Sequence, residues 1–499
     1  MKNPILIRTD ASREIGTGHF MRCFALADAF IDNGEKAVFS FSSTIPDLVS
    51  RLDVRQIEHH TIGAVIGTDG DANATATLAK EIGAQWVLLD GYRFDGQYQA
   101  YLKAAGLKIM MIDDFSHAEK YYADLVLNQN ASASPSLYET KLEGSRLLLG
   151  PKYAMIRREF IRLMGRRIES IKPLAERILI TLGGSDPCNR TAQVVACLKD
   201  ADDQSSEVLV IVGAANNDYA LIEKNSRSRK NLHIVKNPPD IAEIMASVDL
   251  AIVSGGTSTY ELCYLGVPFI VIIIADNQIA NANSLQEKGI TISFDGRQGI
   301  LCGPLMESLK AIATSQNERA RMRKAEIEMV DGYGAERALM HLRGARIWLR
   351  RAVIEDEKRT LEWSNEEITR ANSFHPEKIA KEVHAVNFRK WLSSDQTMLL
   401  VAVDEEENLV GQVRFDFTEK EACISISLDK RFRGKGIGAE MIRYSCQMIM
   451  GSQKATRINA FVKKDNEASI KAFEKVGFVL IGRESRFGQE CLHYITEKG

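Results

Sequence analysis

The chain of 499 residues has eight cysteines but no C-x-x-C pair among them. Without cysteines at ligand spacing, neither a zinc site nor a disulfide framework is expected. Long apolar runs are missing too. The longest, VPFIVIIIA at 267–275, falls well short of the roughly 20 residues a membrane span needs. The first apolar run is interrupted by Arg8 and Asp10 before it reaches the length of a signal peptide's core. Charge of one sign is also lacking: a formal net charge of -2, with 26% charged and 45% hydrophobic residues, excludes a whole-chain affinity for nucleic acid or anionic membrane. No low-complexity stretch or short repeat is visible, and no G-x-G-x-x-G follows the first strand, which argues against a dinucleotide oxidoreductase. These absences leave the expectation of a cytoplasmic globular protein with no nucleic-acid or membrane partner, in which any anion site is local.

What is present is a rhythm. The length exceeds what one core organises, so two or three domains are expected. Short β-branched or leucine-rich runs alternate with amphipathic stretches: ILIRTDA (5–11), KAVFSFSS (36–43), WVLLDGY (86–92), KIMMIDD (108–114) and DLVLNQN (124–130). After a charged connection at 162–177 the pattern restarts with RILITLGGSD, EVLVIVGAA, LHIVKN, LAIVSGG and VPFIVIIIA. Alternation of this kind predicts two doubly wound α/β domains, 1–165 and 166–345, with a cleft lined by the carboxyl ends of their strands. From about residue 346 the pattern becomes an antiparallel meander with an acidic turn at Asp404 to Asn408, followed by a helix after Gly438, which predicts a separate α+β domain at 346–499.

Three glycine-containing loops carry the chemistry. Arg433-Gly434-Lys435-Gly436-Ile437-Gly438 lies between a predicted strand and a helix, where backbone N–H groups at a helix start suit a diphosphate. In the second block, Ser254-Gly255-Gly256-Thr257-Ser258 follows a strand end, and Gly183-Gly184-Ser185 follows another, with Pro187 positioned to begin a helix. Two anion-suited loops in one domain favour a nucleotide, with Glu261 one helical turn on as an acceptor for ribose hydroxyls; the alternative is a plain helix cap. The third loop, EIGTGHFMRC at 14–23, presents His19 between Gly18 and a helix. A neutral imidazole there suits deprotonation of water, and Arg22 three residues on suits a phosphate or an acidic partner. Asn277, Gln278 and Asn281 stand at the mouth of the most apolar strand; Asn277 is the better candidate to hold a sugar or water, and Asn281 equally fits a capping role. Asp90, Tyr92, Asp113 and Asp114 are strand-end residues expected to face the same cleft. The adjacent aspartates could invite a metal, but one of such a pair usually caps a turn.

The segment RGKGIG with NEASIKAFEKVGFVLIG (466–482) resembles the GNAT family of acetyl-CoA-dependent N-acetyltransferases. The resemblance implies that Arg433 to Gly438 hold the pyrophosphate of coenzyme A, that the Leu428 backbone bonds the pantetheine, and that Asn466 faces the cofactor arm. Phe473 stands where many members have the tyrosine acid, so the acid is unassigned. LEWSNEEITRANSF and EVHAVNFRKWL resemble the acceptor side of nucleotide-sugar acetyltransferases, making Asn365, Arg370 and His384 candidates to touch the sugar nucleotide; Trp363 and Trp391 are read as core anchors. Residues 1 to about 345, through RTDASREIGTGHFMRC, LLDGYRFD, MMIDDF, LLLGPKYAMIRREF, ITLGGSDPCNRT, VSGGTSTYELCYLGVP and ADNQIANA, resemble the UDP-sugar hydrolases of pseudaminic acid biosynthesis, which have the GT-B fold. That resemblance implies UDP against the second lobe, a sugar presented to His19, and no metal. Together the two imply a bifunctional enzyme that acetylates a UDP-amino sugar and hydrolyses the product. A UDP-sugar glycosyltransferase or 2-epimerase carrying an acyl-CoA-binding module is the alternative.

Overall fold

The computed structural model describes the chain apart from residues 1–2, 13, 164–169, 185, 187, 199–205, 214–215, 217–218, 228, 239, 453 and 498–499. Ser185, Pro187 and part of the 162–177 connection therefore lie outside the described residues. The chain divides into two compact units, one of residues 2–28 and 36–335, the other of residues 336–499 with 29–35.

The larger unit holds two parallel sheets. In the first, β1 (Ile5–Thr9), β2 (Ala37–Phe41), β3 (Glu58–Thr61), β4 (Trp86–Asp90), β5 (Lys108–Ile112), β6 (Leu125–Asn128) and β7 (Arg146–Leu149) run in the order β3-β2-β1-β4-β5-β6-β7. In the second, β8 (Arg177–Thr181), β9 (Glu207–Val212), β10 (Leu232–Lys236), β11 (Leu250–Ser254), β12 (Phe269–Ile273) and β13 (Thr291–Asp295) run β10-β9-β8-β11-β12-β13. Both are doubly wound sheets. Their strand order reverses between β1 and β4 in one lobe and between β8 and β11 in the other, and crevices at such switch points are where open α/β sheets bind ligands.

The central strands read as continuous apolar runs because helices cover both faces. Ile178, Ile180, Val208, Val210, Ile252 and Ile270 pack on one side of the second sheet, and Leu179, Leu209, Ala251, Val253, Phe269 and Val271 on the other. Ala154, Ile156 and Phe160, which follow the first sheet in sequence, already belong to this second core. Arg8, fully buried in β1, is the exception to apolarity. Its guanidinium donates to both carboxylate oxygens of Asp71 at 2.9–3.0 Å and to Asp10 at 2.5 Å, which is how a buried charge is tolerated.

Cys197, at the end of helix Arg190–Cys197, and Cys302, at the start of helix Cys302–Thr314, form a disulfide, while the other six cysteines are free. This departs from the expectation that no bridge forms. The partners are 105 residues apart in sequence, so no local spacing signals them, and helix packing alone brings them together.

The smaller unit is one seven-stranded sheet, β14 (Ile347–Arg351), β15 (Thr397–Asp404), β16 (Leu409–Thr418), β17 (Glu421–Leu428), β18 (Arg457–Lys463), β19 (Val479–Arg486) and β20 (Gln489–Glu497), in the order β14-β15-β16-β17-β18-β20-β19. Only β17 and β18 are parallel, and their ladder covers just Glu421–Cys423 against Arg457–Asn459. Beyond Cys423 the two strands part, opening a fork. Helix Ile437–Gly451 packs Met441, Ile442, Cys446 and Ile449 onto the sheet.

Candidate functional site

The two lobes of the larger unit enclose a cavity of about 400 Å³ lined from both switch points. From the first lobe, β1 leads through a tight turn into helix Gly18–Asp32, while β4 ends beside it at Asp90. This register puts His19 and Asp90 in contact. His19 Nδ1 stands 2.6 Å from Asp90 Oδ1. The Arg22 Nη2 donor also lies 3.1 Å from Nδ1, but the Asp90 carboxylate is nearer and only accepts, so the neutral ring carries its proton on Nδ1 and leaves Nε2, which has no hydrogen-bond partner among the described residues, as the acceptor. Arg22, one turn along the helix, donates to Asp90 at 2.6 and 2.7 Å and to Asp114 at 2.6 and 3.1 Å. Burial pushes the carboxyls of Asp90 and Asp114 up, but the Arg22 guanidinium outweighs it and holds both below the usual carboxylate range. Tyr92 donates to Asp114 at 2.8 Å and packs its ring edge-on against His19 at 4.8 Å.

Arg22 thus finds the acidic partner expected of it and is not free for phosphate, because two buried carboxylates already claim it. Gly18 starts the helix with open space around its Cα. Of the strand-end residues expected in the cleft, Asp113 is turned away. It is fully buried and accepts from His117, Tyr121, Tyr138 and the Ser116 amide.

The second lobe supplies the loops after β8 and β11. A Cβ on Gly184 would meet Thr17 Oγ1 of the first lobe at 2.8 Å and one on Gly213 would meet the Gly184 carbonyl at 2.3 Å, so glycine here permits close approach. Gly183 lines the same wall. After β11, the Gly255 amide is not available to an anion as expected, because Gln278 Oε1 accepts from it at 3.2 Å while also accepting from Ile274 N at 3.0 Å. Gln278 is a brace for the loop. The amides of Gly256, Thr257 and Ser258, at the start of helix Ser258–Leu265, have no internal partner among the described residues, and Ser254 borders them. Such donors at a helix N-terminus suit a phosphate.

Two other expectations change. Both oxygens of Glu261 accept from Arg157, at 2.5 and 2.9 Å; burial pushes the Glu261 carboxyl up against the pull of that guanidinium. Glu261 lines the cavity as half of an ion pair rather than as a free carboxylate. Asn281 is buried and ties the lobes, its Oδ1 accepting from Tyr260 Oη at 2.7 Å and from Ala131 N at 2.9 Å, while the residue also lines the cavity. Asn277 remains at the cavity, its amide donating across the cleft to Tyr92 Oη at 2.9 Å. Among the described residues no cluster of His, Cys, Asp and Glu is suited to a metal, and no helix is long and apolar enough to cross a membrane.

In the smaller unit the loop from Arg433 to Gly438 wraps the start of helix Ile437–Gly451. Gly434 and Gly436 have φ of +74° and +78°, a conformation side chains disfavour. The amides of Gly434, Lys435, Gly436, Ile437 and Gly438 have no internal partner among the described residues. A diphosphate fits this donor set. The Arg433 side chain does not join it, because it binds the Leu428 carbonyl at 3.0 Å and the Glu366 carboxylate. That contact lies on the carbonyl of Leu428, the residue whose backbone is expected to meet pantetheine. Asn466 caps helix Glu467–Lys475 through its Oδ1. Phe473 is buried against Phe478 and has no acid to offer.

The acceptor-side candidates are structural. Asn365 clasps both backbone groups of Ile379, Arg370 donates to the carbonyls of Ser364 and His375, and His384 is buried against Thr360. Trp363 is a core anchor whose indole donates to Asp429 at 2.9 Å. Trp391 is not buried; it is half-exposed beneath Arg414.

Two doubly wound lobes around a shared cavity are thus followed by a separate forked α+β sheet with an amide-lined glycine loop. Residues 346–479 match the acetyltransferase (GNAT) domain model, and residues 178–334 match the glycosyltransferase family 28 C-terminal domain model. An uncharacterised protein of Methanocaldococcus jannaschii is 24% identical over 95% of this chain and 96% of its own. UDP-2,4-diacetamido-2,4,6-trideoxy-beta-L-altropyranose hydrolase of Campylobacter jejuni is 24% identical over 58% of this chain and 98% of its own. Spermidine N-acetyltransferase of Vibrio cholerae, solved with CoA and spermine, is 18% identical over 30% of this chain and 95% of that one, at a TM-score of 0.28. The chain is a fusion of a two-lobe UDP-sugar-hydrolase relative with a GNAT acetyltransferase domain, a bifunctional sugar-modifying enzyme.

Proposed function

We propose that the GNAT domain acetylates the 4-amino group of a UDP-amino-dideoxy sugar, and that the two lobes hydrolyse the resulting UDP-2,4-diacetamido-2,4,6-trideoxy sugar to free sugar and UDP. The observation that carries the second step is the His19–Asp90 pair at 2.6 Å, set at the switch point with Nε2 unoccupied. A neutral imidazole in that tautomer takes a proton from water as it attacks the anomeric carbon. The C–O bond to the diphosphate breaks, UDP leaves with the bonding electrons, and the sugar inverts. UDP is a good leaving group, so the lobes need to orient and deprotonate water more than to supply an acid. Asp90 keeps the tautomer and faces the imidazolium that forms, while Arg22 and Asp114 fix Asp90 in turn. The amides of Gly256, Thr257 and Ser258 would take the diphosphate, beside the Glu261–Arg157 ion pair in the cavity wall. Asn277, bonded to Tyr92 across the cleft, is the amide nearest the sugar side.

In the GNAT domain acetyl-CoA supplies the acetyl thioester as cosubstrate. The Gly434–Gly438 amides would hold its diphosphate, and the fork between β17 and β18 admits the pantetheine arm. Fusion keeps both sites at a raised effective concentration. The relative named as a hydrolase of this substrate, covered over 98% of its length, supports the reading.

A single reaction tests it. The protein is incubated with acetyl-CoA and UDP-4-amino-4,6-dideoxy-β-L-N-acetylaltrosamine in ¹⁸O water, and the products are read by mass spectrometry. Label in the released sugar is the expected result; label in UDP, or an epimerised UDP-sugar, would sink the proposal. The match to a glycosyltransferase family 28 domain favours transfer to an acceptor as the second reading, which would appear as UDP release only when an acceptor sugar is added.

A further inference from the structure

Beside the His19–Asp90 pair stands a second one of the same form. His117 Nδ1 lies 2.8 Å from Asp113 Oδ1. Asp113, which also accepts from Tyr121 and Tyr138 at 3.0 and 2.7 Å, fixes the Nδ1–H tautomer and leaves the lone pair on Nε2. That nitrogen is buried and has no partner among the described residues, on a side chain only 6% exposed. A buried polar atom left unpaired costs stability unless something satisfies it.

The surroundings are aromatic. The His117 ring lies 5.7 Å from Tyr92 and 6.2 Å from Phe115, and Tyr92 and Phe115 lie 5.0 Å apart. Tyr92 touches both imidazoles, with His19 at 4.8 Å, so the two histidine rings are no more than about 10.5 Å apart. Phe115, the outer wall, is 44% exposed and Tyr92 is 37% exposed, so the two rings present adjoining apolar faces to water.

We propose that Tyr92, Phe115 and His117 form a subsite for a secondary acetamide on the sugar. The acetyl methyl lies on the two rings and the amide N–H is donated to His117 Nε2, Phe115 yielding to admit it. The inference rests on the hydrolase reading, in which C1 of the sugar meets His19. C4 lies across a pyranose ring from C1, and the bound of about 10.5 Å between the two histidine rings admits that span. The proposal assigns the subsite to the 4-acetamido group, the one that acetyl transfer creates. An ammonium at that position brings no methyl for the rings and must shed its hydration beside them, so the lobes would reject the unacetylated precursor and act only after acetyl transfer.

The test uses the full-length protein with two substrates, the 2,4-diacetamido UDP-sugar and its 4-amino precursor, the latter assayed without acetyl-CoA. The variants are Phe115→Ala, at an exposed position, and His117→Phe. Each should lower kcat/KM for the diacetamido sugar about 10- to 100-fold more than for the precursor, mainly through KM, the range expected when a matched hydrogen bond and methyl contact are lost. UDP affinity should hold in both variants and the thermal midpoint in Phe115→Ala, which separates the effect from misfolding. Equal losses on both substrates, an unchanged ratio in Phe115→Ala, or a wild type without preference between the two would overturn the subsite. A wild type that hydrolyses neither substrate removes the hydrolase reading, and the subsite with it.

Discussion

Asp90 receives His19 on one carboxylate oxygen and the Arg22 guanidinium on both, each contact at 2.6 to 2.7 Å. One side chain therefore fixes the tautomer of the proposed base and neutralises a buried cation. Asp90→Asn keeps the shape but can turn its amide N–H toward Nδ1, which moves the ring proton to Nε2 and removes the lone pair from the cleft. UDP-sugar hydrolysis should fall about 10²- to 10⁴-fold in kcat, with UDP affinity within about twofold of wild type. Steady-state rates beside a UDP titration check this; a variant with normal kcat would mean that Asp90 does not set the tautomer.

The same cluster makes stability depend on acid. Asp90 and Asp114 ionise below their ordinary range in the folded protein because of Arg22. A folded pKa below the unfolded one, about 3.9 for aspartate, gives stabilisation that is complete above that pH and is lost as pH falls through the lowered values. Arg22→Met removes the cation and strands two buried carboxylates. It should cost about 3–5 kcal/mol at pH 7, and part of that loss should return near pH 4, where the stranded carboxyls protonate. Urea unfolding of both proteins at pH 7 and pH 4 reads the opposite slopes.

The sheets were legible from their buried strands: all five runs read in the first block and all five in the second became β1, β2, β4, β5 and β6, and β8 to β12. In these two lobes the strands not anticipated are β3, β7 and β13. β3 and β13 are at most half-buried, so Glu58-His59-His60-Thr61 has no apolar pattern to read. His19 was legible from its glycine turn, but Asp90 was not recognisable as its partner, since a register between β1 and β4 rather than a sequence spacing joins them. Gln278 and Asn281 show the reverse error. An amide near a strand mouth looks like a ligand contact in sequence, and here the backbone of Gly255 and Ala131 claims those oxygens first.

Gly436 tests the coenzyme loop. At φ +78° an alanine costs about 1 kcal/mol through the backbone and disturbs the row of free amides. Gly436→Ala should raise KM for acetyl-CoA about 10-fold without altering UDP release from the preformed diacetamido sugar. Thiol release and UDP release measured separately distinguish the two sites.

Cys197 and Cys302 close a loop of 105 residues through the second lobe. Such a bridge is worth about 2–4 kcal/mol. Denatured without reductant, the protein should show six reactive thiols, matching its free cysteines, and eight after reduction. Cys302→Ser should lower the urea midpoint under non-reducing conditions and change nothing in dithiothreitol.

Glu326 gives the opposite acid behaviour from Asp114. It lies on helix Gln316–Met329, fully buried, with both carboxyl oxygens unpartnered among the described residues, and burial pushes its pKa well above the ordinary value. The folded chain keeps this proton while the unfolded chain releases it near pH 4.3. A raised folded pKa gives stability that is full below the unfolded value and declines as pH rises toward the folded one. Glu326→Leu removes both the orphan oxygens and this linkage. It should stabilise the protein by about 1–3 kcal/mol at pH 8 and by less at pH 5, because the wild type is weakest where its unfolded state is most ionised. Unfolding curves at the two pH values decide it: a variant destabilised at both would mean that the Glu326 carboxyl is satisfied in the folded protein.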